Sequence, residues 1–273
     1  MLLSGLVAGT LLVACGSAPG LTIVSSAPPT LTTAAPPATT ETTVDVSVDQ
    51  TPTTRVERPP TTTTTILTAE SLAEGSYLVA HAPQQVEVYE GPRLAAPSRT
   101  LDASTILGSP RVFLVETGPV DGWVEVLLPI RPNGSTGWVR ASDLDLWVLD
   151  SKIVVDLSDR SLRLHLGGEL ALETEVAIGS PQNPTPVGDY FVTDVVELSD
   201  PSGPWGPFAL GLSAFSDTIT EFNGGDGIIG IHGTNRPNSI GEPVSLGCVR
   251  VPNEIATQLA GLVRLGTPVD IQT

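Results

Sequence analysis

Ile231-His232-Gly233-Thr234-Asn235, followed by Ser245-Leu246-Gly247-Cys248-Val249-Arg250-Val251, decides the reading of this chain. His232 and Cys248 stand sixteen positions apart, each beside a glycine. An imidazole next to a thiol can take its proton at neutral pH, and the resulting thiolate is a nucleophile. Glycine before the cysteine permits a tight turn and close approach of a second chain. The two residues therefore read as a base and a nucleophile.

The cysteine inventory sharpens this. The chain of 273 residues holds two cysteines. The other, Cys15, ends Leu12-Val13-Ala14-Cys15 after an apolar run that begins at Leu2. Such a run followed by small residues reads as an export signal over residues 1–15. It falls short of the roughly 20 apolar residues that a membrane-spanning helix needs. No Lys or Arg precedes it, which leaves a longer leader open. Leu-Val-Ala-Cys resembles the lipobox of bacterial lipoproteins. That resemblance implies lipidation of Cys15 and anchoring to the outer face of the cytoplasmic membrane, in the cell-wall space. Cys248 would then have no disulfide partner, and an unpaired cysteine in an exported protein is an intermolecular partner or a reactive thiol. A signal cleaved elsewhere, or an inert buried cysteine, is the plainer alternative.

The net charge of −17 argues against nucleic acid as a partner and against electrostatic docking on anionic lipid. About −13 of it lies beyond residue 75, so the acidity belongs to the folded part and reads first as solubility. Residues 16–75 form a low-complexity tract: from Ser26 to Thr65, 22 of 40 residues are Thr or Pro. Such a tract buries too little apolar surface to offset its chain entropy, and is expected to be a disordered linker, with or without O-linked glycans. Few aromatics and many Gly and Pro point to a mainly β body.

Residues 76–147 carry short β patterns at Tyr77–Ala80, Val86–Tyr89, Val112–Val115, Trp123–Leu128 and Gly137–Arg140. This spacing predicts a small antiparallel barrel. Gly122-Trp123-Val124-Glu125-Val126, then Gly137-Trp138-Val139 and Asp143-Leu144, resemble bacterial Src-homology-3-like domains, which accompany wall enzymes. Residues 150–273 open with two alternating strands, Ile153–Leu157 and Ser161–Leu166, around the turn Ser158-Asp159-Arg160. A strand is expected over Glu175–Gly179, and a single helix over Asn253–Leu262, with Pro252 at its entrance. Trp205-Gly206-Pro207-Phe208 falls in a long irregular segment, read as a mobile flap over the cleft or as core.

The order of these strands, then Thr185-Pro186-Val187-Gly188-Asp189-Tyr190, His232-Gly233 and Ser245-x-Gly247-Cys248-Val249-Arg250, resembles the YkuD-type L,D-transpeptidase catalytic domain over about 120 residues. The resemblance implies a β-sandwich with a short helix, a cysteine acyltransferase without cofactor, and 3→3 cross-linking of peptidoglycan stem peptides. It further implies acylation by carbapenems. A monomer is expected. One element departs from the family pattern: Leu246 stands where a second histidine is usual.

The resemblance also assigns roles. Cys248 would attack an amide carbonyl, and His232 would take the thiol proton and return it to the leaving amine. The backbone carbonyl of Gly233 would orient the imidazole; a carbonyl tolerates any side chain, so glycine in place of the usual serine is expected to cost little. Backbone N–H groups of Gly247 and Cys248 would hold the oxyanion. Ser245, Leu246 and Arg250 fall on the substrate side, and Arg250 could bind a carboxylate or serve in a structural ion pair. His165 reads as a strand residue and His81 as a loop residue. No pair with metal-ligand spacing occurs, so no metal site is expected. Three rivals stay open: a carboxypeptidase or protein-anchoring enzyme with the same acylation step, a wall-binding module with a decayed site, and a redox-active thiol.

Overall fold

The computed structural model describes residues 21–23, 68–222 and 225–273. Cys15, the export signal and most of the Thr/Pro tract lie outside the described residues. The chain forms β1 (Leu21–Ile23), β2 (Tyr77–His81), β3 (Val86–Val88), β4 (Arg99–Leu101), β5 (Val112–Val120), β6 (Trp123–Leu127), β7 (Thr136–Arg140) and β8 (Asp145–Leu149). It continues as β9 (Ser151–Asp156), β10 (Ser161–Leu166), β11 (Glu169–Glu175), β12 (Ile178–Gly179), β13 (Gly188–Leu198), β14 (Phe208–Phe215) and β15 (Ile228–His232). It ends with β16 (Pro243–Ser245), β17 (Val249–Arg250), the helix α1 (Asn253–Leu262) and β18 (Pro268–Gln272). The mainly β class with one short helix is as expected, and α1 has the predicted bounds.

In the first part, an antiparallel sheet runs in the order β7-β6-β5-β2-β8, and β3 pairs with β4. Its alternating residues Leu78, Ala80, Phe113, Val124, Val126 and Val139 close over one core. His81 is not in a loop: it ends β2, where its Nδ1 lies 3.3 Å from an Asp145 carboxylate oxygen.

The second part is a curled sheet in the order β11-β10-β9-β18-β13-β14-β15-β17. The β9–β10 hairpin follows from alternation, Ile153, Val155, Leu162 and Leu164 all pointing inward. Its turn is closed by the Asp156 carboxylate, which accepts from the Asp159 N–H at 3.0 Å. β13 joins the two halves of the sandwich. Gly188–Phe191 pairs with β18, whereas Val192–Glu197 pairs with β14. A strand that serves two layers is buried on both faces, and Tyr190 to Val196 are buried without a break. The same cause hid β14. Ala209 to Phe215 is continuously buried, so no alternation marks a strand in what reads as irregular chain. The Glu175–Gly179 strand is in fact the end of β11 and, after a break at Val176-Ala177, the two residues of β12.

The two parts share apolar packing. Val79, Val112, Leu114, Leu127 and Leu149 of the first belong to the core built on Ile153, Tyr190, Phe191 and Val269 of the second. Gly266, at φ +87°, lies so close to Val79 that a Cβ there would stand 2.4 Å from its Cγ1. We expect Leu127→Ala to lower the stability of the whole chain by about 2–5 kcal/mol, as a buried leucine truncation does. Denaturant unfolding followed by tryptophan fluorescence and by Cys248 accessibility should shift together.

Candidate active site

β15 and β17 place the two reactive residues side by side. They pair in parallel, Ile231 opposite Val249 and His232 opposite Arg250. His232 is thus the last residue of β15, and Cys248 immediately precedes β17. Between β16 and β17 the chain turns through Leu246 and Gly247, the latter at φ +117°, a conformation that favours glycine. Hydroxyl groups hold this turn. Thr185 Oγ1 accepts from the Gly179 N–H at 2.8 Å and donates to the Gly247 carbonyl at 2.8 Å. Ser245 Oγ accepts from the Gly247 N–H at 3.0 Å and donates to the Cys248 carbonyl at 2.6 Å.

Two expectations change here. Ser245 is only 1% exposed and its hydroxyl is committed to the turn, so it shapes the nucleophile loop and does not face a substrate. The Gly247 N–H is likewise engaged. The Cys248 N–H, without a partner among the described residues, is the donor left for an oxyanion.

His232 is 5% exposed, and its Nδ1 lies 2.6 Å from the Gly233 carbonyl. A carbonyl only accepts, so Nδ1 carries the proton and the neutral ring presents a bare Nε2. Trp205 covers the ring, centroids 4.8 Å apart and planes inclined by 30°. This stack requires two glycines. A Cβ on Gly206 would lie 2.6 Å from the Gly233 Cα, and one on Gly233 would lie 2.4 Å from Asn253 Oδ1. Asn253 itself accepts from the Thr234 N–H at 2.7 Å. Glycine at 233 keeps the orienting carbonyl, and its bare Cα also makes room for the Gly206-Pro207 chain packed against it.

Trp205, Ser216, Ile219, Phe222, Leu246 and Cys248 are among the residues that line a narrow cleft of about 80 Å³ into which His232 opens. Leu246 is 49% exposed on its rim. Arg250 forms no ion pair among the described residues, and its buried Nε has no hydrogen-bond partner. The structural ion pair that was one reading of Arg250 is thus not formed. Thr185 and Asn253 were not singled out from sequence as site residues. Thr185 stands in the quoted Thr-Pro-x-Gly run, which was its only signal; Asn253 reaches the site through tertiary packing. Trp205, read as flap or core, stacks on His232 and lines the cleft.

Burial also resets the proton balance. It drives the His232 pKa down to about 4; the Gly233 hydrogen bond opposes this and the Arg250 charge adds to it. Burial pushes the Cys248 thiol up, against the Gly230 backbone hydrogen bond and Arg250. Both shifts favour a resting thiol beside a neutral imidazole. An unfolded histidine titrates near about 6.5. Between that value and about 4 the unfolded chain binds the extra proton, so stability should fall as pH drops through this window. Imidazole NMR should find His232 neutral down to about pH 4. His232→Gln should flatten the stability profile over the same window.

A family model described as the L,D-transpeptidase catalytic domain (YkuD) matches residues 150–271. The YkuD protein of Bacillus subtilis (strain 168) is 32% identical over 151 residues, covering 53% of this chain and 84% of that protein. The YkuD protein of Bacillus licheniformis is 36% identical over 120 residues, covering 44% of this chain and 64% of that protein, so the chain spans just under two thirds of this relative. The NMR structure of the catalytic domain from an E. faecium L,D-transpeptidase shares 26% identity, covers 45% of this chain and 96% of its own, and superposes with a TM-score of 0.33. The chain belongs to the YkuD-type L,D-transpeptidases, and residues 150–271 are its catalytic domain.

Proposed function

We propose that this transpeptidase joins peptidoglycan stem peptides by a 3→3 cross-link through a thioester on Cys248. The carrying observation is the His232 Nδ1–Gly233 carbonyl contact of 2.6 Å, which leaves Nε2 as a base in the cleft that Cys248 lines. Sγ attacks the carbonyl of the third residue of a donor tetrapeptide as His232 takes the thiol proton. The oxyanion accepts from the Cys248 N–H. On collapse the C–N bond breaks, the imidazolium returns the proton to the nitrogen, and D-alanine leaves. The side-chain amine of an acceptor stem then attacks the thioester, forms the new amide and releases the thiol. A neutral resting pair suits this sequence, because charge develops only during the attack.

Arg250, two residues from Cys248 and without an ion pair among the described residues, is a fitting partner for the donor's terminal carboxylate. Leu246 adds only apolar surface at the rim, and the base with its orienting carbonyl is complete without a second histidine. Water or a protein amine in place of the acceptor would give the carboxypeptidase and anchoring readings by the same first step. In the lipoprotein reading, Cys15 tethers the enzyme to the membrane, the Thr/Pro tract spans part of the wall, and the Src-homology-3-like part positions the catalytic domain.

Intact-mass measurement with a carbapenem should give one adduct per chain, absent from Cys248→Ala. His232→Ala should slow its formation by about 10²- to 10⁴-fold. Leu246→His should change the acylation rate by less than about tenfold. No adduct on the wild-type chain at saturating drug would favour a decayed, wall-binding module.

A further inference from the structure

One wall of the cleft is held from the other part of the molecule. The β6–β7 hairpin of the first part extends Arg131 and Asn133 onto the loop that follows β14. Arg131 Nη1 donates to the Ser216 carbonyl at 2.7 Å, and Nη2 donates to the Ile219 and Asp226 carbonyls at 3.2 and 2.7 Å. Its guanidinium carbon stands 5.1 Å from the centroid of the Phe215 ring. Asn133 makes a two-way pair with the Phe215 backbone, donating to its carbonyl at 2.8 Å and accepting from its N–H at 2.9 Å.

These contacts fall where the loop closes on itself. The Ser216 N–H donates to the Gly227 carbonyl at 2.9 Å, and Ser216 Oγ accepts from the Ile219 N–H at 3.1 Å. Gly227, at φ +68°, lies so near that a Cβ would stand 2.1 Å from the Ile219 carbonyl oxygen. Three carbonyls thus converge on one cation, and a cation-assisted hydrogen bond is about twice as strong as a neutral one. Ser216, Ile219 and Gly227 are also cleft residues, on the same lining as His232 and Cys248. The hairpin thus ties this loop from outside the sheet that carries it.

We propose that Arg131, seconded by Asn133, is a positioning residue for the acyl-transfer site. It sets the distance between the Ser216–Ile219 wall and Cys248, and so the fit of the donor peptide. The first part of the chain is then a structural component of the active site, beyond any role in holding the enzyme in place. Lysine would not replace Arg131, since one ammonium cannot span three carbonyls with a planar fork.

The kinetic half of the test rests on the acyl-transfer reading, and the other half does not. In the full chain, Arg131→Ala should lower the second-order rate of carbapenem acylation by about tenfold. Arg131→Lys should recover little of it. Alkylation of Cys248 by iodoacetamide, which needs no donor cleft, should stay within about twofold. Amide hydrogen exchange over residues 216–222 should rise in Arg131→Ala and in Asn133→Ala, with exchange in β9 and β10 unchanged. Asn133→Ala keeps the test intact if Arg131→Ala does not fold. Wild-type acylation and wild-type exchange in the variants would overturn the proposal. A wild-type chain that is never acylated would sink the transpeptidase reading alone, and the exchange result would still decide whether Arg131 holds the wall.

Discussion

The hydroxyl of Thr185 is the fixed point of the site. It is 4% exposed, and it accepts a hydrogen bond from the Gly179 N–H and donates one to the Gly247 carbonyl. A buried hydroxyl has a strong reason to keep both partners, since each lost bond leaves a polar group desolvated at about 1–3 kcal/mol. The Ser245–Cys248 turn cannot then drift from the β12 strand. With the turn fixed, Val249 and Arg250 can pair with Ile231 and His232, and the nucleophile and base come from neighbouring strands. The chemistry is carried by a cysteine and a histidine, but the geometry is carried by a threonine and a serine that never meet a substrate.

The second layer of the site is steric. Gly206 and Gly233 touch through their backbones, which brings Trp205 down on the imidazole. The same contact shuts water away from His232 and so contributes to the burial that lowers its pKa. Packing, proton affinity and tautomer are one arrangement. A substrate that covers the cleft will not find a charged pair waiting; it will find a neutral pair and a frame ready to stabilise charge as it forms.

Much of this was legible in the chain. Gly233, Gly247, His232 and Cys248 are marked by local spacing, β9 and β10 by alternation, because one face of each meets the core, and α1 by Pro252 at its entrance. What escaped did so for physical reasons. β14 is buried on both sides, and its run FALGLSAF, buried without a break from Ala209, has no period to read. The turn-holding bonds of Ser245 and the tight packing around Gly233 left no mark in the sequence, since hydrogen-bond partners and neighbours across a glycine contact are set by distant chain. The upward pull on the Cys248 thiol had no mark in the sequence, because burial belongs to the fold and not to residue type. Arg131 carried no signal at all: its partners lie 85, 88 and 95 positions away, on the loop between β14 and β15.

The central claim is that Cys248 accepts an acyl group from a stem peptide, with His232 as base. A single-turnover reaction of the purified chain with a synthetic stem tetrapeptide, quenched in acid and read by intact and peptide mass, tests it most directly. The account predicts a thioester on the peptide that contains Cys248, with the mass of the donor less D-alanine, and free D-alanine in equal amount. A quenched chain of unmodified mass, with no D-alanine released over many hours, would contradict it.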